Sequence, residues 1–180
     1  GEGLGNKFLS HIRETDAIVE VVRCFENSNV VHVDGSINPI RDIETINLEL
    51  IFADIETVNK RIDKAKKNLK ADKRYQVEID LLKRILETLE SGKSARTLDF
   101  NDEEQAMVKE MFLLTTKPIL YVANVSEEQL ENVEKDENVQ KVKQYASEEG
   151  AEVVPLCVKM EEELSGLDDE DKKEMLAMYN

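Results

Sequence analysis

Two apolar seams with heptad spacing dominate this sequence. Ile51, Ile55, Val58, Ile62, Ala65 and Leu69 recur at alternating steps of four and three, and Tyr75, Ile79, Leu82, Leu86 and Leu89 repeat the pattern. Such steps keep one stripe of a helix apolar, and a stripe needs a partner. Only residues 70–74 separate the seams, so the two helices are expected to fold back as an antiparallel hairpin. Pro39 suits the first turn of the first helix, and Gly92 suits the end of the second.

On either side of the hairpin the periodicity changes. A short helix is expected over about residues 6–14. Residues 17–24 (AIVEVVRC), 118–124 (PILYVAN) and 152–156 (EVVPL) are short, β-branched and apolar, and read as buried parallel strands. Residues 30–33 read as extended before an Asp34-Gly35 turn. Asp102 is expected to cap a helix over about 103–114. Ser126 opens another helical region, a helix over 136–149 closes at Gly150, and acidic helices are expected over 159–166 and 169–179. Strands alternating with helices predict an α/β fold with a parallel sheet, the hairpin standing out as an arm and not as a crossover helix. The expected organisation is a sheet-forming part over 1–38 and 99–180, interrupted by the helical hairpin insertion at 39–98.

Charge sets limits on partners. The 180 residues carry 39 acids against 24 bases, a net charge of −15. A chain this acidic cannot coat a polyanion with its whole surface, so such contact must be local. The hairpin tip is the place for it. Lys60, Arg61, Lys64, Lys66, Lys67, Lys70, Lys73 and Arg74 face only Asp63 and Asp72 within 15 residues. This knob points either to RNA or ribosome contact or to a solvated coiled-coil end. Tyr75 is the sole aromatic nearby, so base stacking is not expected there. No apolar run is long enough to span a membrane. Cys24 and Cys157 lie in apolar runs and are expected as buried free thiols in a reducing, cytoplasmic setting.

Catalytic signatures are sparse. His11 and His32 fit no zinc spacing with the cysteines, and no Gly-x-x-x-x-Gly-Lys-Ser/Thr phosphate loop occurs. Asn124, Val125, Ser126 and Glu127 directly follow the second strand, where parallel sheets bind ligands. A carboxylate there can accept from donors on a purine edge while the Asn orients the loop. Equally, Ser126 can cap the next helix and Glu127 can favour its dipole. Leu156, Cys157 and Val158 end the third strand on the same edge, and Phe25 follows the first. Each has a ligand-facing reading and a plain packing one.

Residues 1–9 (GEGLGNKFL), 17–26 (AIVEVVRCFE) and 42–50 (DIETINLEL) resemble the Obg-like ATPase (YchF, also called EngD) family of P-loop NTPases, with the helical arm where that family carries its coiled-coil insertion. The resemblance covers nearly the whole chain. It implies a GTPase-like nucleotide domain built from 1–38 and 99–180, with the Asn124–Glu127 loop as its base-recognition loop. Ordinary translational GTPases have Asn-Lys-x-Asp there; Val125 stands in place of the Lys and Glu127 in place of the Asp. In the family this variant accompanies ATP use, often beside GTP use. Leu156, Cys157 and Val158 fall at a second base-side loop, usually Ser-Ala-x, through backbone contacts. The resemblance also implies that the phosphate loop, the Mg²⁺ ligands and switch I precede Gly1, and that a TGS domain follows Asn180. The expected protein is a cytoplasmic, ribosome-associated hydrolase of ATP or GTP, of which this chain is an inactive central fragment. The competing expectations are a non-enzymatic RNA- or ribosome-binding coiled-coil module and a structural hairpin for a protein partner.

Overall fold

A computed structural model describes residues 5–26, 36–166 and Lys173. The expected strand at 30–33, the Asp34-Gly35 turn and, apart from Lys173, the helix at 169–179 lie outside the described residues. Helix α1 spans Gly5–Arg13, α2 Pro39–Leu69, α3 Tyr75–Glu90, α4 Asp102–Lys109, α5 Glu127–Leu130, α6 Glu137–Glu149 and α7 Val158–Ser165. The strands are β1 Ile18–Arg23, β2 Ile119–Asn124 and β3 Glu152–Leu156.

The three strands form a parallel sheet in the order β1-β2-β3, with Glu20 opposite Tyr121 and Tyr121 opposite Val153. Side chains alternate between faces. Ile18 and Val22, with Ile119, Tyr121, Ala123 and Val153, pack against Ile40 and Ile43 of α2 and Val139, Val142 and Ala146 of α6. Val19 and Val21 on the opposite face are 61% and 57% exposed. Strand β1 is therefore not buried throughout as its composition suggests, although Val122 of the central strand, on the same face as Val21, is buried.

Helix α2 starts where Asn38 accepts a hydrogen bond from the Arg41 amide at 3.1 Å, with proline in its first turn. Its first turns cover the sheet and its later turns pair with α3. One helix thus serves as both crossover and arm, where the sequence suggested an arm alone. Ile51, Val58 and Ile62 meet Leu81, Leu82, Ile85 and Leu89. Leu81 and Ile85 lie outside the heptad count, yet both are buried, and Leu86 is only partly so. The reason is a third partner: Ala95, Val108, Met111 and Leu113 pack into the same cluster and widen the buried face of α3.

Helix α4 differs from expectation at both ends. Asn101, not Asp102, caps it, in a capping box with Glu104. It stops at Lys109 because Phe112 adopts φ +53°. For a residue with a Cβ this left-handed conformation costs ~1–2 kcal/mol. Buried Asp54 anchors the residues just past Phe112, accepting from the Leu114 amide at 2.8 Å, the Thr115 amide at 2.8 Å and the Thr115 hydroxyl at 2.6 Å. Burial pushes its carboxyl pKa up against these hydrogen bonds. At the end of α6, Gly150 takes φ +69° and closes the helix into β3.

Candidate functional site

The carboxyl ends of all three strands meet at one edge of the sheet. The Cys24 amide donates to the Asn124 carbonyl at 2.8 Å, joining the ends of β1 and β2. The Val125 amide donates to the Leu156 carbonyl at 3.0 Å, and Asn124 Oδ1 accepts from the Val158 amide at 3.1 Å. Asn124 therefore fastens the loop after β2 to both neighbours. Ser126 caps α5 with Gln129 in a capping box. Gln129 Nε2 then reaches back to the Cys24 carbonyl at 2.8 Å and across to Asp136 at 2.7 Å.

Side chains in this edge fall into two groups. Val125 and Cys157 are buried, as is Cys24, whose thiol is pushed up to about 12 by burial and by Asp136 and Asp42. Asn124, Ser126, Glu127, Leu156 and Phe25 are half-buried, and Val158 is exposed. Phe25 sits under the Arg23 guanidinium at 5.3 Å, and Arg23 Nε donates to its carbonyl at 3.0 Å. Among the described residues no group of three His, Cys, Asp or Glu is placed to hold a metal ion.

At the hairpin tip the eight bases are not equivalent. Lys60 pairs with Glu56 at 2.9 Å, Arg61 with Glu78 at 3.9 Å, and Arg74 with Asp72 at 2.9 Å. Lys64, Lys66, Lys67, Lys70 and Lys73 are exposed and form no ion pair among the described residues. These five carry the unneutralised charge of the tip.

A buried polar network under the sheet escaped the sequence reading. Asn47 of α2 donates to the hydroxyls of Tyr121 and Tyr145, each at 3.2 Å. The Tyr121 hydroxyl donates to Glu149 at 3.0 Å, and Arg96 holds the other oxygen of Glu149 at 2.9 Å. Glu20 lies in the same layer, 5% exposed, with neither carboxylate oxygen hydrogen-bonded. Burial and Glu149 raise its pKa to about 8, against the pull of Arg96. The one sequence signal was an acid interrupting an apolar strand. A cavity of about 970 Å³ opens beside this network, lined by Glu44, Asn47, Lys93, Tyr145 and Glu149 among others.

Comparison with known proteins gives a consistent result. No protein-family model matches the chain. A "Ribosome-binding ATPase YchF" from Bacillus subtilis is 52% identical over 177 residues, covering 98% of this chain and 48% of the relative. An "Obg-like ATPase 1" from Saccharomyces cerevisiae is 39% identical over 184 residues, covering 98% and 46%. The solved structure of the Schizosaccharomyces pombe YchF GTPase superposes with a TM-score of 0.84 at 32% identity, over all of this chain and 50% of that one. The chain spans about half the length of the curated relatives it matches.

Proposed function

This chain belongs to the Obg-like ATPase family of YchF, with the α/β fold of its P-loop NTPases, and on that premise we propose that the intact protein is a cytoplasmic, ribosome-associated nucleoside-triphosphate hydrolase. ATP is the preferred substrate and GTP the competing one. The base enters at the carboxyl edge of the sheet, where Asn124 holds the loops after β1, β2 and β3 together. That clasp carries the reading. It sets Ser126 and Glu127 at the switch from strand to helix, while Leu156, Val158 and Phe25 flank the base. Val125 and Cys157 serve through their backbones, since their side chains are buried.

Glu127 is the specificity element. An Asp in its place accepts from the two donors on the guanine edge, N1–H and the 2-amino group. The longer Glu changes that geometry, and adenine presents an acceptor at N1. Mg²⁺ would supply charge neutralisation at the phosphates, and among the described residues no group of three His, Cys, Asp or Glu is placed to hold a metal ion. Without a Gly-x-x-x-x-Gly-Lys-Ser/Thr phosphate loop in its sequence, the 180-residue chain alone is expected not to turn over nucleotide. The test is Mg²⁺-dependent phosphate release by the intact protein with ATP and GTP, with and without ribosomes, for wild type and Glu127→Asp. Faster ATP release, a ribosome stimulus and a shift toward GTP in the variant support the reading. An unchanged ATP/GTP ratio in Glu127→Asp sinks the role of Glu127.

A second, non-enzymatic activity is favoured by the five unpaired lysines of the tip: docking of the hairpin to ribosomal RNA. Its mark is salt-sensitive binding, lost when Lys64, Lys66, Lys67 and Lys70 are replaced by Glu. Binding that survives both high salt and the replacements would instead make the arm a protein-docking element.

A further inference from the structure

Phe112 is an exposed aromatic ring held in a backbone conformation that does not suit it. It is 67% exposed, and among the described residues it alone, other than glycine, has positive φ. Glycine would relieve the strain, and no burial of the ring offsets it. Three side chains from two helices hold the segment in place. Arg13 of α1 donates to the Phe112 carbonyl at 3.1 Å, Arg61 of α2 donates to the Glu110 carbonyl, and Asp54 accepts from the amides of Leu114 and Thr115. A strained conformation persists where its surroundings over-determine it, and such places cluster at binding sites.

Beside the ring lies a cleft of about 390 Å³. Arg96, Lys109 and Lys117 line it together with Phe100 and Phe112, and none of its lining residues is acidic. In a chain with 39 acids and 24 bases that selection favours an anion. Arg96 and Lys117 are already engaged, Arg96 with Glu149 and Lys117 with the carbonyls of Arg13 and Thr15. Lys109 is exposed and unpaired among the described residues. Arg61 touches the segment two residues before Phe112, and from Arg61 the helix climbs only about 14 Å to Lys70.

We propose that Phe112 is a stacking platform for one base of a single-stranded RNA, with Lys109 and the unpaired lysines of the hairpin tip drawing its phosphates. Every base has a π-face, so the site reads single-strandedness and not sequence. This rests on the reading of the tip as an RNA contact and adds the aromatic that the tip itself lacks. An acidic peptide would satisfy the charge as well, but a flat exposed ring beside the unpaired Lys109 suits a nucleotide better.

The test is fluorescence anisotropy of a short labelled oligouridine with the full chain, at low and moderate salt. Phe112→Ala is expected to weaken binding about tenfold with an unchanged salt slope, and Phe112→Tyr to retain it. Phe112→Gly is expected to weaken binding as much as Ala while raising the denaturation midpoint, which separates lost stacking from lost folding. Wild-type affinity in both Phe112→Ala and Phe112→Gly, alongside loss of binding in the lysine-to-Glu variant, overturns the stacking site and leaves the tip reading standing. No binding by the wild type overturns both. Tighter, Phe112-dependent binding of an acidic peptide overturns RNA as the occupant.

Discussion

Glu20→Gln isolates the protonation of one buried carboxyl. In the folded chain its pKa is raised to about 8 by burial and by Glu149, whereas in the unfolded chain it returns to the ordinary value of 4.5. Between these values the folded state holds a proton that the unfolded state has released. Stability then falls as pH rises through this window, by ~1.4 kcal/mol per unit at full slope. Below the unfolded value both states are protonated, above the folded value both are ionised, and the dependence flattens. Neither oxygen of Glu20 has a hydrogen bond to lose, so Gln stands in for the protonated acid at the same volume. From about pH 5.5 to about pH 8 the wild type is expected to lose ~3 kcal/mol more stability than the variant. Urea unfolding followed by circular dichroism across this range measures it, since other titrating groups cancel in the difference. Parallel curves for the two proteins would refute the reasoning, because they would mean that Glu20 is ionised when folded or reaches water.

Asp54→Ala leaves the amides of Leu114 and Thr115 and the Thr115 hydroxyl without their acceptor in a buried site. It is expected to destabilise by ~3–5 kcal/mol, read as a lower urea midpoint. At the tip, five unpaired lysines give an expected slope of log K against log salt of about −3.5 for single-stranded RNA. Replacing Lys64, Lys66, Lys67 and Lys70 by Gln should leave about −0.7, and an unchanged slope would place the contact elsewhere.

What the sequence revealed depended on how local each determinant was. The seam of α2, the proline in its first turn and the glycine closing α6 each act within a turn of themselves, and all three were legible. The end of α4 was not, since it depends on Asp54, some 60 residues away, competing for the amides of Leu114 and Thr115. Ile85 was missed because the segment around Met111 joins the same cluster and widens the buried face of α3 beyond the heptad stripe. Glu20 shows the same limit at a polar position: its strand was recognised, but its protonation is decided first by burial and then by Glu149, against the pull of Arg96, all of which chain folding brings about. In the candidate base site, Asn124 and Glu127 were placed by strand-end reasoning. The use of the Asn124 side chain to hold the Val158 amide needed the third strand in register.

The mechanical relation between the two candidate sites is set by α2. Residues 40–69 contain neither glycine nor proline, so no kink is built into the helix. It is fixed to the sheet by buried hydrogen bonds at two heights. Asn47 binds Tyr121 of β2 and Tyr145 of α6, and Asp54 binds the segment that leads into β2. These points are seven residues apart, ~10 Å along the axis, and Lys70 lies ~24 Å beyond Asp54. For a rigid rod pivoting at Asp54, a displacement of ~1 Å at Asn47 becomes roughly 2 Å at the tip, the ratio of those two lengths. The opposing forces are unequal. Moving Asn47 tilts two hydrogen bonds of 3.2 Å, whereas moving Asp54 breaks three shorter ones at 2.6–2.8 Å. The softer fixing point is therefore the one facing Tyr121, in the strand that ends at Asn124.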